Sequence, residues 1–191
     1  MKAASQPAIP LEEVISSLTK RKNILEGVCI SGGEPTLYPD LPDLIKEIKA
    51  LGFHVKLDTN GTNPAMLKSL VKDQLINFVA MDIKNSRGKY SLTSGIPDIN
   101  LKLIEESISY LLSSPLEYEF RTTVVKEHHT KEDMLSIGHW IEGAKAYYLQ
   151  QYKDSGDILS PGLSSHTKDI LESFVTILTP YVKNVSLRGV D

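Results

Sequence analysis

The chain has 191 residues, 41% of them hydrophobic and 24% charged, which suits one soluble folded domain with a real core. Its formal charge of −3 and the lack of any basic block exclude a nucleic-acid surface read from charge alone. The apolar runs are too short to span a bilayer, and residues 1–10 lack the apolar stretch of a secretory signal, so a cytoplasmic setting is expected. There is one cysteine, Cys29, so no internal disulfide and no all-cysteine metal site can form within one chain.

In chain order, short apolar β-rich runs alternate with longer helical patterns. Residues 11–22 place Leu11, Val14, Ile15 and Leu18 on one helical face after Pro10. Residues 27–31 read as a strand ending in Gly32-Gly33-Glu34-Pro35. A helix over 42–51 stops at Gly52, and a strand over 53–57 runs into Asp58-Thr59-Asn60-Gly61. Residues 64–72 form a helix opened by Pro64, and 77–83 a strand ending near Asp82. Residues 85–100, with Gly88, Gly95 and Pro97, read as a loop. A helix (101–112), strand (117–125), helix (131–143) and strand (146–150) follow. Then come a turn-rich loop (155–162), a helix (166–181) and a last strand (185–188).

This is a βα alternation, and the runs look like parallel strands buried on both faces. About six strands are too few for an eight-stranded barrel, which leaves an open doubly wound sheet or a partial barrel. One domain covers 1–191, with the βα core over 11–152 and a final helix and short strand over 153–191.

Glu34, Asp58 and Asp82 each follow a successive strand, 24 residues apart each time. Lys84 and Arg121 fall near the same rim. In parallel α/β sheets ligands bind at the strand C-terminal ends, and like charges gathered there call for a cation or ligand between them. The plainer alternative is that each acid caps the helix that follows. Cys29, between Val28 and Ile30, reads as a buried small hydrophobe. His128-His129 reads as solvated, and His54 as facing solvent or the helical layer. Trp140 reads as core, as do Tyr147 and Tyr148, unless one of the two looks into a barrel.

Five segments in order, Ile-Ser-Gly-Gly-Glu-Pro-Thr (30–36), Leu-Asp-Thr-Asn-Gly (57–61), Met-Asp-Ile-Lys (81–84), Phe-Arg-Thr-Thr-Val-Val (120–125) and Leu-Gln-Gln-Tyr (149–152), resemble a radical S-adenosylmethionine (SAM) protein. Within that superfamily the resemblance is to the glycyl-radical-enzyme activating proteins. It points first to the activator of anaerobic ribonucleoside-triphosphate reductase, which is similar to pyruvate formate-lyase activating enzyme. The resemblance implies a partial (β/α)6 barrel with helices outside. It also implies SAM and a [4Fe–4S] cluster on a Cys-x3-Cys-x2-Cys loop, which together yield a 5′-deoxyadenosyl radical. The implied partners are a glycyl radical enzyme (anaerobic ribonucleoside-triphosphate reductase before pyruvate formate-lyase) and a reductant such as flavodoxin or ferredoxin.

The resemblance further implies that Gly32, Gly33 and Glu34 receive the SAM amino group and that Asn60 adds a contact. Lys84 would pair with the SAM carboxylate, and Arg121 would reach its ribose or carboxylate side. Asp58, Thr59 and Asp82 would surround a monovalent cation. The cysteine loop is not in this sequence. The expectation is therefore a radical SAM core truncated before its first strand and cluster loop, with an exposed sheet edge and no catalysis by this chain itself. Two further readings stand beside it. One is a cluster-free module that binds SAM or a partner. The other is a lyase or hydrolase that holds a divalent ion on Glu34, Asp58 and Asp82.

Overall fold

The computed structural model describes residues 9–154 and 162–190, so the loop expected at 155–162 lies outside the described residues except for its last position. Six parallel strands form one sheet in the order β1 (Gly27–Ile30), β2 (His54–Thr59), β3 (Phe78–Asp82), β4 (Glu117–Val124), β5 (Tyr147–Gln151) and β6 (Val185–Arg188). The helices are α1 (Leu11–Lys20), α2 (Leu41–Ala50), α3 (Pro64–Lys72), α4 (Tyr90–Ser94), α5 (Leu101–Ser113), α6 (Lys131–Trp140) and α7 (Lys168–Leu178). Each strand pairs with its neighbours in sequence, the arrangement of a partial (β/α) barrel. β1 is one edge of that sheet. Among the described residues no helix is long and apolar enough to cross a membrane.

Local chemistry places the helix starts. The Asn63 side chain accepts from the Met66 amide at 3.2 Å, and Pro64 follows in the first turn, where its missing N–H costs nothing. Asn100 caps α5 in the same way. Thr130 and Asp133 form a reciprocal capping box on α6.

The core lies between the helices and one face of the sheet. Val55 and Leu57 of β2, Val79 and Met81 of β3, Phe120 of β4, and Tyr147 and Leu149 of β5 are fully buried there. Side chains alternate along each strand, so the residues between these belong to the other face. That face carries His54, Lys56 and Asp58; Ala80 and Asp82; Glu119 and Arg121; Tyr148 and Gln150; and Arg188. The strands are thus covered on one side only, which corrects the expectation of burial on both. The short runs hide this alternation, because an apolar residue such as Ala80 falls on the open face as well.

Three local expectations also change. Cys29 points to the open face and is exposed, because β1 is an edge strand and its inner side has no cover. His129 is fully buried rather than solvated. Residues 85–100 are not all loop: a 3-10 turn at Arg87–Lys89 leads into α4, which ends at Gly95 with φ 70°. α4 is held by Tyr90, which is buried and meets the Trp140 ring edge-on at 5.8 Å. Of the two tyrosines, Tyr147 is buried in the core and Tyr148 is the one that looks to the open face, where it is half-buried.

Candidate functional site

The C-terminal ends of β1–β4 surround a cavity of about 120 Å³. Its walls are Ser31 to Glu34 after β1, Asp58 to Asn60 at the end of β2, Asp82 and Lys84 from β3, and Arg121 from β4. All nine residues expected at a site therefore meet around one cavity.

The loop after β1 turns through two consecutive glycines of positive φ, Gly32 at 95° and Gly33 at 53°. Side chains rarely tolerate such angles, so the glycines permit a turn that brings bare backbone to the cavity wall. The turn ends in Glu34, which is only 7% exposed. Its Oε1 accepts from the Thr36 amide (3.1 Å), the Thr36 hydroxyl (2.5 Å) and the Thr59 hydroxyl (2.7 Å). Its Oε2 accepts from the Asn60 amide at 2.6 Å. Glu34 therefore caps the 3-10 turn Pro35–Leu37, as the plainer expectation has it, and also clasps the β1 loop to the β2 loop. One lone-pair direction on Oε2 is left for an ammonium donor.

The Asn60 side chain is committed locally, accepting from the Thr62 amide (2.9 Å) and hydroxyl (2.6 Å). Gly61 then has φ 76°, and a Cβ there would lie 2.0 Å from Cε of Met81. A larger residue here would strain the backbone and displace the Met81 side chain.

The open-face carboxylates are compensated by side chains. Arg121 donates from Nη1 to Asp58 Oδ2 at 2.7 Å and from Nε to Asp82 Oδ1 at 2.9 Å. Lys84 Nζ lies 3.0 Å from Asp82 Oδ2, and Lys56 Nζ lies 3.2 Å from Asp58 Oδ1. Burial alone would raise the Asp58 pKa, but Arg121 and then Lys56 outweigh it and hold the carboxyl below the ordinary aspartate range. Burial would likewise lower the Arg121 pKa, yet the two aspartates push it above its usual value. The Cys29 thiol lies 3.4 Å from Asp58 Oδ1 and is pushed up, first by burial and then by the Asp58 charge. It is therefore kept away from the reactive thiolate form.

Lys56 and Cys29 were not singled out as neighbours of Asp58, although Lys56 stands two residues before it and so shares its face. The same period places Glu119 beside Arg121. Glu119 is 4% exposed and binds Arg188 through both oxygens, at 2.7 and 2.8 Å. The Arg188 guanidinium lies 3.4 Å from the centroid of the Tyr148 ring. No sequence motif marks this pair, because its members are 69 residues apart.

Behind the cavity, the buried ring of His129 ties two loops together. Its Nδ1 accepts from the Val125 amide at 3.0 Å, which leaves Nε2 to donate to the Lys84 carbonyl at 2.9 Å. Burial holds this imidazole below the ordinary histidine pKa.

Among the described residues, no group of three or more His, Cys, Asp or Glu side chains could hold a metal ion. Glu34, Asp58 and Asp82 share the cavity wall but are turned to different partners. A cluster held by three thiolates does not fit a donor set with one cysteine.

Comparisons agree with this geometry. The family described as the Radical SAM superfamily matches residues 5–141. A protein assigned as a glycyl-radical enzyme activating enzyme of Methanocaldococcus jannaschii is 31% identical over 173 residues, which cover 87% of this chain and 72% of that protein. A crystallised domain of pyruvate-formate lyase-activating enzyme from Bacteroides vulgatus superposes with a TM-score of 0.70 at 18% identity, over 85% of this chain and 99% of that one. Streptococcus suis SuiB bound to S-adenosylmethionine superposes with a TM-score of 0.69 at 18% identity, over 98% of this chain and 45% of that one.

Proposed function

The chain belongs to the Radical SAM superfamily, and on that premise we propose that it binds SAM, with the amino-acid head in the cavity at the ends of β1–β4. The observation that carries this is the division of charge around the cavity. The β1 loop offers backbone and the spare lone pair of Glu34 to an ammonium group. Lys84 lines the same cavity, with its side chain 40% exposed and paired to Asp82. A zwitterionic head placed between them meets a donor with its carboxylate and acceptors with its amine. SAM supplies an activated sulfonium group. The residues described here bind and orient its head, and we assign them no part in its cleavage.

A second reading is favoured by the relative of 31% identity. The whole protein would act on a glycyl radical enzyme, with anaerobic ribonucleoside-triphosphate reductase preferred to pyruvate formate-lyase on the 120–125 and 149–152 segments. That activity needs a one-electron donor such as flavodoxin or ferredoxin and three cluster thiolates, where this sequence has one cysteine.

Isothermal titration with SAM tests the first reading. Wild type is expected to bind, and Lys84→Met is expected to weaken binding about tenfold, the loss of one charge-assisted hydrogen bond. Absence of binding by wild type would overturn the proposal. An unchanged affinity in Lys84→Met would move the carboxylate away from β3.

A further inference from the structure

We infer that Arg121 is the built-in counter-cation of this site, and that the Asp58–Asp82 pair takes up no sodium or potassium ion. The inference rests on the placement of side chains and does not require SAM to bind. It replaces the monovalent cation that the family resemblance puts at Asp58, Thr59 and Asp82.

The sheet register explains how one arginine serves both aspartates. Arg121 is the direct neighbour of Asp82 across the β3–β4 ladder. Asp58 is one strand further, beside Ala80 on β3. Two strand spacings are about 10 Å, a span that an arginine and an aspartate side chain reaching toward each other cover when nothing bulky lies between. The residue between is Ala80, whose single methyl group leaves the lane clear. The guanidinium crosses it and binds an oxygen of each carboxylate, at 2.7 and 2.9 Å. The two remaining carboxylate oxygens face Lys56 and Lys84. All four oxygens are therefore turned to side-chain cations.

The Thr59 hydroxyl cannot complete a shell for an ion with them. Thr59 follows Asp58 directly, so its side chain lies on the other face of the sheet. There the hydroxyl donates to Glu34 and accepts from the Gly61 amide at 3.1 Å. The charges point the same way. Two carboxylates already face Arg121, Lys56 and Lys84, so the pair holds no uncompensated negative charge to draw in a further cation. Arg121 acts as a positioning residue: it holds the two aspartates, and a ligand carboxylate is left to Lys84.

The test is thermal unfolding of the full chain in sodium, potassium and tetramethylammonium chloride at equal ionic strength, without SAM. For wild type the three midpoints should agree within about 1 °C. In Arg121→Met the aspartates are left facing an open space. Its midpoint should be higher by about 3 °C or more in sodium or potassium than in tetramethylammonium, because only the smaller ions can enter. Arg121→Lys, which reaches one aspartate at a time, should show a smaller response of the same sign. A wild-type midpoint that rises selectively in sodium or potassium overturns the inference, whether or not the variants fold. So does a folded Arg121→Met or Arg121→Lys whose midpoint is blind to the cation. A role for Arg121 as mere structural support would lower the midpoint equally in all three salts. Loss of SAM binding with these salt results intact would remove the binding proposal and leave this one standing.

Discussion

The two faces of the sheet are made by the same strands and are held by different physics. On the helix-covered face, Val55, Leu57, Val79, Met81 and Phe120 are removed from water entirely. Each such burial contributes roughly 1.5–3 kcal/mol, so this face supplies most of the stability. On the open face, Lys56, Asp58, Asp82, Arg121, Glu119 and Arg188 are linked by ion pairs. Ion pairs that stay partly wet add little net stability, yet they fix where charge sits at the mouth of a cavity. One face holds the fold, and the other uses the rigidity it gains to present a ligand site.

Matched aromatic truncations are the largest way to break this comparison. Phe120 is fully buried and packs beside Tyr118 with ring centroids 5.3 Å apart. Phe120→Ala should cost about 4 kcal/mol in urea unfolding, from lost burial and the cavity left behind. Tyr148 lies on the open face, half-buried and stacked against Arg188. Its truncation to alanine should cost only about 1 kcal/mol. Equal losses at the two sites would erase the distinction between the faces.

Glu34 sharpens the comparison, because it is an ionisable group that serves structure. Four donors converge on its carboxylate, three of them on one oxygen. Glu34→Gln keeps one acceptor oxygen and sets an NH₂ group against at least one of those donors. A loss of about 2 kcal/mol is expected, a midpoint about 6 °C lower, because buried donors are left unmatched. A neutral outcome would mean that the clasp between the two loops is closed by Thr36 and Thr59 without the carboxylate.

Much of this was legible in the sequence, for reasons that differ by element. Residues 64–72 and 185–188 match α3 and β6 end for end, because Asn63-Pro64 marks the start of α3 and the last strand is bounded by Asn184 and Gly189. The rim was legible from the 24-residue spacing of Glu34, Asp58 and Asp82, which reports the repeat length of the βα unit. The partners of those acids were not legible. Arg121 is 63 residues from Asp58, and no local pattern shows which of two aspartates an arginine will bridge. α4 escaped because five residues carry too little periodicity to separate a helix from a loop. Cys29 and His129 were misplaced for opposite reasons. Flanking apolar residues suggest burial even on an edge strand, and flanking charges suggest exposure even where a buried ring bridges a carbonyl and an amide.

Acid separates the two faces by pH, and this is the smallest effect expected. His129 has a folded pKa below its ordinary value because burial disfavours the imidazolium; protonation would also set an N–H against the Val125 amide. The unfolded chain therefore takes up that proton first as pH falls. Its contribution is full above the unfolded value of about 6.5 and is lost on acidification toward the folded value, with a slope of at most about 1.4 kcal/mol per pH unit. Asp58 also has a lowered folded pKa: burial opposes the shift, but Arg121 and Lys56 prevail. Its contribution is full above the unfolded value of about 3.9 and disappears only below it, as pH falls through the folded value. Unfolding midpoints measured from pH 8 to pH 3 should therefore decline in two stages. His129→Gln should flatten the first stage and leave the second, whereas Asp58→Asn should diminish the second and leave the first. A first stage that survives in His129→Gln would assign the near-neutral loss to a group other than the buried ring that ties the Lys84 loop to β4.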